Sequence, residues 1–208
     1  MTTPTAVSKA DITDAFLNRP LRDELLSPEG LEAHARLLAG RFGAGFAPPG
    51  TGRDFHERLT RSAPRLRDAY RKLAADAAGA ESPRPAAEWL LDNFHLVESE
   101  IADIRRNLPR RFIERLPAVT GGEHAGRPRI QALAVELLRH SDSSLDLGRL
   151  IRFISAYQTL APLTIGELWA WPTFLKAELV ENIHRLGEQL MVCRTARLAA
   201  DRFIREFE

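Results

Sequence analysis

The chain has 208 residues, 44% hydrophobic and 27% charged, ample for one packed core and ordinary for a globular domain. Its 29 basic and 28 acidic residues leave a formal charge of +1, which neither draws in nucleic acid nor favours an anionic membrane, and no run of about 18 apolar residues is present to span one. The lone Cys193 excludes an internal disulfide and a cysteine-based zinc site and suits a reducing compartment, while the polar, acidic opening MTTPTAVSKADITDAF argues against a secretory leader.

Residues 1–19 mix Thr, Pro, Ser and charges and predict a flexible tail, with a helical domain expected over 20–208. Ser27-Pro28-Glu29 reads as a helix start, followed by an apolar face of Leu31, Ala35, Leu38 and Phe42. The Gly/Pro-rich stretch near 43–52 reads as the main linker. A helical pattern resumes from Asp54 to about Ala78 with Phe55, Leu59, Leu66, Ala69, Tyr70 and Leu73 apolar, and Pro64 is expected to kink or divide it. Between Pro85 and Pro109, Leu90, Phe94, Val97, Ile101, Ile104 and Leu108 recur at helical steps. Trp89, Leu91 and Leu96 widen that stripe, so the chain is expected to be organised around this helix, covered on more than one side.

A short amphipathic piece, 110–116, leads into the turn chemistry of TGGEHAGRP. Pro128 suits the first position of a helix carrying Ile130, Leu133, Ala134, Leu137 and Leu138 to about His140. Asp146 is a predicted N-cap for 147–160, with Leu150, Phe153, Ile154 and Tyr157 inward. Thr164 and Glu167 form a capping box that opens the last long helix, whose buried stripe is read as Leu168, Pro172, Leu175, Leu179, Ile183, Leu186 and Leu190. Pro172 is expected to bend it, and Leu198 and Phe203 to anchor its far end. No segment alternates with period 2 for long, so the fold class is all-α: about seven or eight helices in antiparallel hairpins forming a single helical domain.

Glu88, Asp92 and His95 stand on successive turns of one helix face beside Asn93, either a group that positions a polar ligand or side chains paired locally. His140 and Asp142 form a second polar pair, equally explained by loop and cap chemistry. Trp169 near Glu167 offers an indole for a sugar face, although Trp169 and Trp171 point about 200° apart on a helix and one of them belongs in a core. Arg105, Arg106, Arg110 and Arg111 complement a helix C-terminus. P-loop, GXGXXG, DXD, HEXXH and GXSXG patterns do not occur, so no catalytic residue, metal ligand or cofactor is assigned.

Two blocks carry a further signal: EWLLDNFHLVESEIADIRRNLPRRFIERLP and RHSDSSLDLGRLIRFISAYQTLAPLTIGELWAWPTFLKAELVENIHRLGEQL. In that order they resemble the N-terminal region of the bacterial cyclic β-1,2-glucan synthases, large membrane glycosyltransferases, and the likeness covers roughly residues 20–190. The resemblance implies UDP-glucose and β-1,2-glucan as the substrate class of a larger enzyme, without a catalytic site in these residues. A non-catalytic N-terminal domain that packs on or regulates the glycosyltransferase parts is therefore expected, cytoplasmic and held at the inner membrane through its parent. The partners are then the enzyme's remaining domains, with glucan and a homodimer left open. A carbohydrate-binding module and a stand-alone protein-interaction domain are the alternatives.

Overall fold

Local chemistry sets where the helices begin. Ser27 Oγ accepts from Gly30 N at 3.1 Å with Pro28 in the first turn, and the Asp146 carboxylate accepts from Arg149 N at 2.8 Å. Thr164 and Glu167 close a reciprocal box, Thr164 N to Glu167 Oε2 at 2.8 Å and Glu167 N to Thr164 Oγ1 at 3.2 Å. The computed structural model describes residues 20–46, 48, 51–77 and 85–207, so the tail expected over 1–19 lies outside the described residues.

Among the described residues there are seven helices: α1 (Pro28–Arg41), α2 (Thr51–Ala77), α3 (Pro85–Asn107), α4 (Arg110–Ile113), α5 (Arg129–His140), α6 (Leu147–Gln158) and α7 (Ile165–Phe207). The fold is all-α, as expected. Two three-residue strands, β1 (Ala44–Phe46) and β2 (Pro117–Val119), form an antiparallel ribbon with Ala44 opposite Val119 and Phe46 opposite Pro117. Strands this short leave no readable period in a sequence, and β1 falls inside the Gly/Pro-rich 43–52 stretch. The start of α2 is pressed on α4, where a side chain on Gly52 would overlap the backbone of Arg110.

The centre of the core is α5, not α3. Every residue from Arg129 to Leu138 is buried, with Ile130, Leu133, Leu137 and Leu138 fully so, each contributing roughly 1.5–3 kcal/mol. Helix α7 packs along α5, α2 and α3, while α1 pairs with α6 and touches α5. On α3 the stripe Leu90, Phe94, Val97, Ile101 and Ile104 is buried as expected, and Phe94 stacks on Tyr70 of α2 at 4.5 Å. Trp89 and Leu96, however, are each 51% exposed: apolar width on a helix does not create a neighbour to cover it.

Two other expectations are corrected. Of the kink or division expected at Pro64, the division does not occur: α2 runs unbroken for 27 residues, and the proline is exposed while Leu59, Leu66 and Ala69 are buried on both sides of it. On α7 the buried face is centred on Ala170, Trp171, Phe174, Leu175, Ala177 and Val180; of the predicted stripe, Leu175 is buried and Leu179, Ile183 and Leu190 pack against the core, but Leu168, Pro172 and Leu186 are exposed. Leu198 and Phe203 are 42% and 62% exposed. No helix of the described residues is long and apolar enough to cross a membrane.

Candidate functional site

Burying α5 from Arg129 to Leu138 takes polar side chains into the core, and each needs a partner there. Arg129 donates to both carboxylate oxygens of Glu167, Nε to Oε1 at 2.9 Å and Nη2 to Oε2 at 2.8 Å, and also to the Pro162 carbonyl at 3.0 Å. Gln131 donates to Glu178 Oε1 at 2.7 Å. Glu136 gathers the densest set: His124 Nε2 lies 2.8 Å from Oε1, His34 Nε2 2.9 Å from Oε2, and Arg139 Nη1 3.2 Å from Oε1. Burial works against ionising Glu136, but the hydrogen bonds from His124 and His34 and the charge of Arg139 outweigh it and hold the carboxyl far below its ordinary range. Arg139 is shared with the more exposed Glu123, 2.6 Å away.

His140 sits beside this cluster. Its Nδ1 donates to the Glu24 carbonyl at 2.8 Å, its ring meets that of His34 edge-on at 4.6 Å, and its Nε2 is 3.8 Å from Glu136 Oε2. His34, Glu136 and His140 present atoms within 4.8 Å of one another, and are the group among the described residues that could hold a metal ion. No sequence motif announces it, because His34 is 102 positions from Glu136.

The predicted site residues fall in three places. Glu88, Asp92 and His95 are exposed on α3, where Asn93 donates to the Trp89 carbonyl of its own helix at 2.8 Å. His95 borders a shallow groove shared with Arg67, Tyr70 and Glu98. Asp142, with φ of +51°, lies in the turn after α5 and meets Arg22 at 3.7 Å. Glu167 is fully buried against Arg129, whereas Trp169 is 58% exposed and edge-on to Phe112 at 5.2 Å; the two do not present one surface. Trp171 is the core tryptophan, stacked on Phe153.

A polar cleft of about 370 Å³ went unread in the sequence. Arg58, Arg61 and Arg65 of α2 face Arg127, from the turn before α5, and His184 and Arg185 of α7. The spacing i, i+3, i+7 on α2 was its only local signal.

The fold and these groups define an all-α domain whose buried charges tie helices together, with an arginine-lined cleft at its surface. Compared with known proteins, the chain is 34% identical over 192 residues to the cyclic beta-(1,2)-glucan synthase NdvB of Rhizobium meliloti (strain 1021). The match takes in 90% of this chain and 7% of that enzyme, so the chain is related to one region of a glucan synthase and spans a small part of its length. No protein-family profile matches it.

Proposed function

We propose that the chain is a non-catalytic helical N-terminal domain of a cyclic β-1,2-glucan synthase-like glycosyltransferase, which packs on or regulates the transferase parts of that larger enzyme. The observation that carries this reading is an uncovered apolar face on the first turns of α7. Ile165, Leu168, Trp169 and Pro172 recur at i, i+3, i+4 and i+7, with Ile165 87% and Trp169 58% exposed. A face of this kind suits a contact with the rest of an enzyme of which the matched region is 7%. The unit is the 20–208 helical domain, cytoplasmic and held at the inner membrane by its parent.

The test is to co-express the 208-residue chain with the remainder of an NdvB-like synthase as a second polypeptide and co-purify them. Association is expected, weakened at least tenfold by Leu168→Asp with Trp169→Asp and unchanged by Asp92→Ala. Trp169 is also what a carbohydrate-binding module would use. Saturable binding of β-1,2-glucooligosaccharides, lost in Trp169→Ala, together with no association, would replace the docking role by that one.

A further inference from the structure

Among the described residues, the cleft between α2 and α7 brings like charges together from three elements. Arg58, Arg61 and Arg65 line one face of α2, and Arg127 and Arg185 approach them from two other elements. Among the described residues, none of the five guanidiniums has a carboxylate oxygen within 4.0 Å. The two carboxylates in the lining stand beyond ion-pair distance of these arginines and take hydrogen bonds from neutral groups: Glu178 accepts from Gln131, and Glu181 accepts from Ser62 at 2.9 Å. Arg127 is held below its ordinary pKa by burial, which the nearby Glu178 opposes and the charges of Arg58 and Arg185 reinforce.

A second feature points the same way. His184, 5% exposed, lines the cleft with both ring nitrogens lacking a hydrogen-bond partner; Glu188 stands off at 3.6 Å. Five guanidiniums against two carboxylates leave the lining with an excess of positive charge and of N–H donors, and anionic oxygens match it. Guanidinium forks fit the tetrahedral oxygens of phosphate in paired hydrogen bonds, and the cleft has room for more than one such group. We infer that this cleft binds a multivalent phosphate anion, a diphosphate or phosphate ester, through Arg58, Arg61, Arg65, Arg127 and Arg185 with His184 at its wall. The inference is independent of the docking face on α7, which lies on other residues.

The probe is inorganic pyrophosphate, titrated calorimetrically into the 208-residue chain at constant ionic strength and followed in parallel by thermal melting. Saturable one-to-one binding with a rise in Tm is expected. Arg58→Gln with Arg127→Gln should weaken binding at least tenfold, in a variant shown by circular dichroism to be folded. Arg61→Gln with Arg65→Gln, at exposed positions, serves if that variant misfolds. Arg110→Gln with Arg111→Gln, away from the cleft, should bind as the parent does. Sedimentation with phosphatidylglycerol vesicles then identifies the source: vesicle binding that pyrophosphate competes away assigns a lipid headgroup, and its absence alongside pyrophosphate binding assigns a free anion. No saturable pyrophosphate binding by the folded chain, or binding that survives the cleft variants, or an equal loss in the Arg110 and Arg111 control, overturns the proposal.

Discussion

The pair Arg129–Glu167 allows the energetics of this core to be tested one charge at a time. Glu167 is wholly buried and Arg129 nearly so, with side-chain exposures of 0% and 7%. Replacing Glu167 by Gln keeps the volume and the capping-box geometry at the start of α7 but removes the charge that compensates Arg129. Leaving a buried guanidinium uncompensated costs roughly 3–5 kcal/mol, and Glu167→Ala adds about 1 kcal/mol for the lost cap. Taking both charges away, in Arg129→Met with Glu167→Gln, removes the desolvation penalty along with the attraction, so the double variant should lie within about 2 kcal/mol of the parent. Urea unfolding followed by helical circular dichroism on the four proteins of the cycle measures this. A coupling of at least about 2 kcal/mol is expected between side chains in direct contact. If Glu167→Gln costs less than about 1 kcal/mol, or the single effects simply add, the pair is not holding α5 to α7.

Glu136 makes a prediction about acid. Its folded-state pKa lies below the ordinary 4.5, so its contribution is complete above about pH 4.5 and is lost as pH falls towards the folded value. Glu136→Gln should therefore cost about 3 kcal/mol near neutral pH, with the gap to the parent narrowing below pH 4.5 in chemical-denaturation curves recorded across that range. Gly52→Ala, which drives a methyl group into the Arg110 backbone, should lower stability by about 1–3 kcal/mol in thermal melts. Asp92→Ala and His95→Ala, both at exposed sites on α3, should each shift stability by no more than about 0.5 kcal/mol, and a larger loss would reveal contacts that the structure does not have.

Features fixed by neighbours in sequence were readable in advance. Ser27, Asp146 and the Thr164–Glu167 box cap helices because each reaches an N–H three residues on, a distance that the chain sets by itself. The buried stripe of α3 was equally plain, since apolar residues at steps of three and four must share a face. What escaped depends on distant partners. Arg129, Gln131 and Glu136 lie outside the apolar residues read on α5, and only contacts 38, 47 and 102 positions away make them core residues. The same holds for α7, where Leu168 and Leu186 were left exposed while α5, α2 and α3 packed against Trp171, Phe174 and Ala177. Glu167 was singled out for its place near Trp169 and as a cap; its burial under Arg129 could not be anticipated from spacing. The arginine cleft escaped because its members come from α2, a turn and α7.

Helix α7 has a mechanical consequence. Its 43 residues make a rod of about 65 Å, seated in the core through Val180 and crossing α2 closely at Gly187, where an added Cβ would come within 3.2 Å of Leu66. From Gly187 to Phe207 the helix runs about 30 Å further, with Leu190 still packed against the core. By length alone, a tilt of about 5° at that crossing corresponds to some 2.6 Å at Phe207. The seating of α2, the helix that also carries Arg58, Arg61 and Arg65, therefore fixes the line along which the C-terminal half of α7 runs.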